Sequence, residues 1–189
     1  MTSLARILGS TALAAAAVAL TACGSGDDTS TPAPSSSALA RPSTAAATPT
    51  ASHGRECAAE DIGVTGGFGE APTITIPENC DPPTKLITKD LVAGSGPGAV
   101  AGQPLTMNYT LVTWSDRQKL DSSFDRGEPF QLTLGAGQVI PGWDQGLLGV
   151  QQGARRLLIV PPNLGYGRGG NGIKPNETLV FVTDAVKVG

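Results

Sequence analysis

An α+β fold is predicted for this chain: an antiparallel sheet curled around one short helix and preceded by a disordered tether. Three observations predict it. Glycine (25) and proline (15) are plentiful in the 189 residues, which suits a turn-rich β domain better than a helical bundle. Several short runs after Lys85 are β-branched or alternate at period two, and turn residues bound them. Only one stretch in their midst, Asp144-Gln145-Gly146-Leu147-Leu148-Gly149, reads as a helix.

The first 22 residues read as a secretory signal, with Arg6 as a minimal positive region and Ile7 to Leu20 as an apolar segment too short for a comfortable membrane span. The segment ends Leu20-Thr21-Ala22-Cys23, which resembles the bacterial lipobox. The resemblance implies lipidation of Cys23, attachment to a membrane through that lipid, and a lipid-anchored position on the extracytoplasmic face of the cell membrane. At roughly 0.8 kcal/mol per buried methylene, a diacylglyceryl group holds stably where one chain does not. Residues 23–56 form the tether, rich in Ser, Thr, Ala and Pro, and too poor in apolar side chains to offset its ordering entropy. The single histidine, His53, lies there. A zinc site or a Ser-His triad in the folded part therefore has no histidine to use, and neither a metal nor a cofactor is expected. A net charge of −3 offers no basic stripe, so nucleic acid is not an expected partner.

Residues 57–84 read as a lead-in to the main domain. Two cysteines remain there once Cys23 is assigned to lipid, Cys57 and Cys80, and in an exported chain they favour a disulfide worth about 3 kcal/mol. Two free thiols or a redox pair are the rival readings, although the spacing is not CxxC. The loop between them carries Gly66-Gly67-Phe68-Gly69 and the alternating run Thr73 to Ile76, which suggests a strand or ribbon pinned beside the domain.

The main domain is expected over residues 85–189. Its first strand lies within Lys85 to Ala93, before the breaker Gly94 to Gly98. Leu105, Met107, Tyr109 and Leu111 recur at period two around Thr106, Asn108 and Thr110, the pattern of a half-buried strand. Trp114 to Lys119 and Asp121 to Gly127 are read as turns, Pro129 to Leu134 as a strand. Ala154 to Val160 is a strand stopped by Pro161-Pro162, since neither proline fits a central ladder. Gly165 to Gly172 is a glycine-rich loop with no phosphate-binding pattern. Thr178 to Val188 closes the sheet. Before the helix stands Val139-Ile140-Pro141-Gly142-Trp143, and two readings of its indole are open: a plug of the core, or the floor of a pocket beneath the turn.

Taken in order, LDSSFDRGEPF, VIPGWDQGL and LLIVPPNLGYG resemble the FKBP-type peptidyl-prolyl isomerases, over about Lys85 to Val188. The resemblance implies a half-open sheet of about five strands, a pocket between sheet and helix, and an enzyme that accelerates rotation about X-Pro bonds. It implies a pocket lined by Tyr109, Leu120, Phe130, Val139, Trp143, Ile173 and Phe181, with the Ile140 N–H and the Tyr166 hydroxyl donating to substrate carbonyls and Asp121 orienting polar groups near the twisting bond. It also implies proline-containing exported proteins as substrates and tacrolimus-type macrolides as ligands. A low-turnover Pro-peptide binding or chaperone module is the alternative, prompted by two departures: Leu120 stands where many members have Phe, and Lys174-Pro175 replaces Pro-Pro.

Overall fold

A computed structural model describes residues 52–189. The expected signal peptide, Cys23 and most of the expected tether lie outside the described residues. The elements follow in the order β1 (Gly63–Thr65), β2 (Thr73–Thr75), β3 (Ile87–Val92), β4 (Pro104–Thr113), β5 (Lys119–Ser122), α1 (Ser123–Arg126), β6 (Phe130–Thr133), α2 (Pro141–Gly146), β7 (Arg155–Val160) and β8 (Leu179–Val188). The main sheet runs β3-β7-β8-β4-β5, with β6 also on β4, and every pairing is antiparallel. The first residues of β4, Pro104 to Met107, pair with β6, while Thr110 to Val112 pair with β5. One edge of β4 is thus shared by two short strands with α1 between them. Five strand positions hold six strands, which refines the expected count.

Two local expectations are corrected. The segment read as turns contains β5 and α1. Its serines are polar but buried, because they serve the backbone: Ser123 Oγ accepts from Tyr109 N–H at 2.9 Å and donates to Asn108 Oδ1 at 3.0 Å. Gly127 ends α1 in the left-handed region at φ 68°, where glycine is favoured. The central helix begins three residues earlier than expected, at Pro141 rather than Asp144, and ends at Gly146. Proline is preorganised for the first helical position, where its missing N–H costs nothing.

Both faces of the sheet are covered, so all six residues of β7 are buried. Leu158 and Val160 face α2 within a core that includes Leu105, Met107, Trp143, Leu147 and Phe181. Leu157 and Ile159 point the other way, into a second cluster with Val112, Trp114, Val180 and Val182. The lead-in forms that second layer. The Cys57–Cys80 disulfide is present with its Cα atoms 5.1 Å apart, and β1 pairs with β2. The layer is fastened by a buried ion pair. Arg155 Nε and Nη2 donate to Asp184 Oδ1 and Oδ2 at 2.6 and 2.8 Å; Arg155 also donates to the carbonyls of Gly66 and Glu70 at 2.6 Å each, and Gly69 N–H donates to Asp184 at 2.7 Å.

The folded part reaches further toward the N-terminus than the expected tether boundary at residue 56 allowed. The Asp81 carboxylate accepts from Ser52 Oγ at 2.7 Å, His53 N–H at 2.9 Å and Gly54 N–H at 3.2 Å. Chiefly the His53 N–H, then the Ser52 hydroxyl, hold that carboxyl down at about 2.

Candidate functional site: an aromatic cavity between sheet and helix

A cavity of about 220 Å³ opens where β4, β5, β6 and β8 face α2. Tyr109 and Leu111 come from β4, Asp121 from β5, Phe130 from β6 and Phe181 from β8. Gln138, Val139 and Ile140 lead into α2, which supplies Trp143; Tyr166 comes from the loop after β7. Tyr109 and Leu111 share a face because β-strand side chains alternate. Trp143 is 4% exposed and belongs to the core cluster while also lining the cavity, so the two readings of this indole hold together.

The rings interlock edge to face. Trp143 lies 5.3 Å from Tyr109, 6.0 Å from Phe130 and 5.4 Å from Phe181, centroid to centroid, at interplanar angles of 88°, 83° and 77°. Such pairs add about 0.5–1.5 kcal/mol each beyond burial. The helix can approach the sheet this closely because of two glycines. A Cβ on Gly142 would stand 2.4 Å from Val160 Cγ1, and one on Gly146 2.3 Å from Leu158 Cδ2. Asp144 on the same helix accepts from Gly135 N–H at 2.8 Å and Gly137 N–H at 3.0 Å, which ties the turn before Val139 and Ile140 to α2.

One end of the cavity is polar. The Tyr109 hydroxyl and the Arg126 guanidinium both donate to Asp121, and Arg126 also donates to the Tyr109 oxygen at 2.9 Å. Burial works to raise the Asp121 pKa, but the bonds from Tyr109 and Arg126 and the charge of Arg126 outweigh it and hold the carboxyl below its ordinary value. Burial, then the bond to Asp121, pushes the Tyr109 hydroxyl upward. At neutral pH Asp121 is therefore an ionised acceptor and Tyr109 a protonated donor. Among the described residues no acceptor takes the Ile140 N–H, so one backbone donor is free beside the aromatic wall.

Of the residues expected here, Tyr109, Asp121, Phe130, Val139, Ile140, Trp143, Tyr166 and Phe181 line the cavity. Leu120 and Ile173 do not. Register slips between Leu111↔Asp121 and Val112↔Lys119, which leaves Leu120 as the extra residue of a β-bulge, 40% exposed. Ile173 is buried in the same core cluster as Trp143 and Phe181. The Lys174 ammonium lies 2.9 Å from Asp116. The sequence reading missed Leu111, Gln138 and Arg126. Leu111 was legible from its period-two relation to Tyr109, and Arg126 from its place in the DSSFDRG motif; nothing in the sequence marked Gln138.

A site with aromatic walls, one ionised carboxylate and one free amide donor, but no nucleophile beside a base among its lining residues, defines a protein that grips an apolar ring and its flanking amides. Residues 96–185 match the family model of the FKBP-type peptidyl-prolyl cis-trans isomerases. An FK506-binding protein of Streptomyces anulatus is 48% identical over 122 residues, 63% of this chain and 98% of that relative. One from Neisseria meningitidis serogroup B is 45% identical over 106 residues, 54% of this chain and 95% of the relative. Among solved structures, AtFKBP13 superposes with a TM-score of 0.52 at 34% identity, over 57% of this chain and 95% of that one. FkpA from Escherichia coli superposes at 0.51 and 37% identity, over 56% and 48%. The chain belongs to the FKBP-type peptidyl-prolyl cis-trans isomerase family, whose activity is rotation of the X-Pro bond.

Proposed function

We propose that this enzyme isomerises X-Pro bonds of exported proteins by holding the twisted imide in the cavity above Trp143. The unassisted barrier is about 18–20 kcal/mol. At its top the amide has lost resonance, and its carbonyl carries less charge than in the planar state. Water favours the polar planar form; a dry aromatic cavity withdraws that preference and so stabilises the twisted form relative to it. The pyrrolidine rests on Trp143 between Tyr109, Phe130 and Phe181. The Ile140 N–H and the Tyr166 hydroxyl donate to flanking carbonyls, and ionised Asp121, held by Tyr109 and Arg126, orients the polar end. A million-fold acceleration requires about 8 kcal/mol of differential stabilisation, which desolvation, ring packing and a few hydrogen bonds supply without covalent chemistry.

The observation that carries this reading is the interlocked aromatic floor opening to a cavity of about 220 Å³. The test is refolding limited by prolyl isomerisation: the enzyme speeds the slow phase, and Trp143→Leu abolishes most of the gain. A wild-type protein without effect on that phase overturns the proposal. Relatives named FK506-binding proteins support tacrolimus-type macrolides as ligands of the same cavity. Saturable quenching of tryptophan emission, lost in Trp143→Leu, is the expected result.

The lipobox-like Leu20-Thr21-Ala22-Cys23 supports attachment to the extracytoplasmic face of the cell membrane through lipid on Cys23. Cys23→Ala would then move the protein from the membrane fraction to the soluble one.

A further inference from the structure

Arg155 and Arg156 are neighbours on β7, and strand alternation sends them to opposite faces. Arg155 fastens the lead-in. Arg156 goes to the α2 side. Its Nε and Nη2 donate to Asp90 Oδ1 and Oδ2 at 2.6 and 2.9 Å, and its Nη1 donates to the carbonyls of Gly146 and Leu148 at 3.0 and 2.9 Å. Asp90 lies directly across the β3–β7 ladder from Arg156. One planar fork therefore holds a strand carboxylate with one edge and, with the other, the last carbonyl of α2 and the Leu148 carbonyl just beyond it, an arrangement open to guanidinium and not to a lysine ammonium.

What hangs on those carbonyls is the floor of the cavity. The helix α2 has only six residues and cannot stand alone. The Leu147 N–H, within the turn that Arg156 holds, donates to the Trp143 carbonyl at 3.0 Å. The buried Trp143 Nε1 has no protein acceptor within hydrogen-bond distance, so no side-chain hydrogen bond fixes the indole. Its height is set by ring contacts and by the helix backbone. Gly142 and Gly146 fix how closely that backbone lies on Val160 and Leu158; the C-terminal turn is held by Arg156, by the buried Leu147 side chain and by the Gly149 N–H, which donates to the Ala99 carbonyl at 2.8 Å.

We propose that Arg156, braced by Asp90, is a positioning residue for catalysis: it locks the C-terminal turn of α2 and thereby sets the height of Trp143 beneath the substrate ring. The proposal rests on the reading of Trp143 as the cavity floor. Asp90 lies in β3, before the residues 96–185 that match the family model, so the brace ties the first strand of the main sheet to the helix beneath the cavity. Removing the clamp lets residues 146–148 fray and displaces the indole. A displacement of about 1 Å at a group that orients substrate costs up to about 100-fold in rate.

The test uses the full chain and measures kcat/KM on a proline-containing peptide per folded molecule, with the indole N–H resonance of Trp143 recorded alongside. In Arg156→Met, kcat/KM falls about tenfold and the resonance shifts or broadens. Asp90→Asn, which keeps the guanidinium on the helix carbonyls but loosens its brace, gives a smaller loss, and it carries the test should Arg156→Met fail to fold. Arg156→Lys recovers only part of the activity. Val182→Ala, buried on the far face of the sheet, lowers stability while kcat/KM stays within about twofold and the resonance is unmoved. If the Arg156 and Asp90 variants behave like Val182→Ala, losing stability alone, the positioning role is overturned. Trp143→Leu separates the two levels: full activity in that variant refutes the floor itself, whereas a collapse there with intact Arg156 and Asp90 variants refutes only the clamp.

Discussion

Asp184→Ala tests how the lead-in is joined to the catalytic sheet. Asp184 and Arg155 are each 1% exposed. The carboxylate accepts three hydrogen bonds, from Arg155 Nε at 2.6 Å, Arg155 Nη2 at 2.8 Å and Gly69 N–H at 2.7 Å. Removing it strands a guanidinium in the interior with only the carbonyls of Gly66 and Glu70. Breaking one side of a buried pair costs about 3–5 kcal/mol, because the remaining charge is uncompensated. For a folded region of this size, at about 3 °C per kcal/mol, the melting temperature drops by roughly 9–15 °C. Circular dichroism in urea and on heating measures both numbers. Limited proteolysis adds a local readout, since residues 66–70 lose their anchor and become the first site cut. Replacing both partners, Arg155→Met with Asp184→Leu, recovers most of the loss by removing the charge itself. A single variant that loses less than about 1 kcal/mol, with the 66–70 loop no more sensitive than before, refutes the claim that this pair holds the lead-in down.

Gly142→Ala places a methyl 2.4 Å from Val160 Cγ1 and 2.9 Å from its Cγ2, on a fully buried side chain that is stiff at χ1. We expect a loss of about 1–3 kcal/mol in urea unfolding, accompanied by weaker macrolide binding as the helix lifts. Cys57→Ser with Cys80→Ser opens a loop of sequence separation 23 and lowers stability by about 3 kcal/mol, seen as a shift in the urea midpoint. Asp121→Asn lowers kcat/KM about tenfold while leaving the fold intact by circular dichroism, since it removes the ionised acceptor shared by Tyr109 and Arg126. Stability falls in acid. Asp61, Asp81 and Asp116 are all held at about 2, Asp61 first by the Arg55 guanidinium, Asp81 first by the His53 N–H and Asp116 first by the Thr113 hydroxyl. Their folded values lie below the unfolded one, so their contribution is complete above about pH 4 and is lost as pH falls toward about 2. A urea midpoint flat from pH about 7 to 5 and declining from about 4 to 2 is the expected profile.

The strands that bury one face were legible. Leu105, Met107, Tyr109 and Leu111 announce β4 by period alone, and the Pro161-Pro162 stop marks the end of β7. The cavity was legible chiefly through its ordered motifs, which carried Phe130, Trp143 and Tyr166 together. What escaped was structure made by hydrogen bonds rather than by burial of apolar side chains. Ser122 and Ser123 are buried because Thr110, Tyr109 and Asn108 bond to them, and a hydropathy pattern reads such residues as surface. The bulge that turns Leu120 outward is a register event between two strands, invisible in either alone. The roles of Arg155 and Arg156 depend on Asp184 and Asp90, 29 and 66 residues away in sequence, and adjacent arginines in a strand carry no mark of the partners they will meet.

The disulfide has a mechanical consequence. Ser52, the first described residue, sits on Asp81, next to Cys80, in the layer behind the sheet, whereas the cavity opens on the opposite face. A pull applied at Ser52 therefore reaches Cys57 and crosses directly to Cys80 through a covalent bond, skipping β1 and β2 altogether. Force entering there is handed to the back of the molecule, and the strands that shape the substrate cavity are spared the first share of the load.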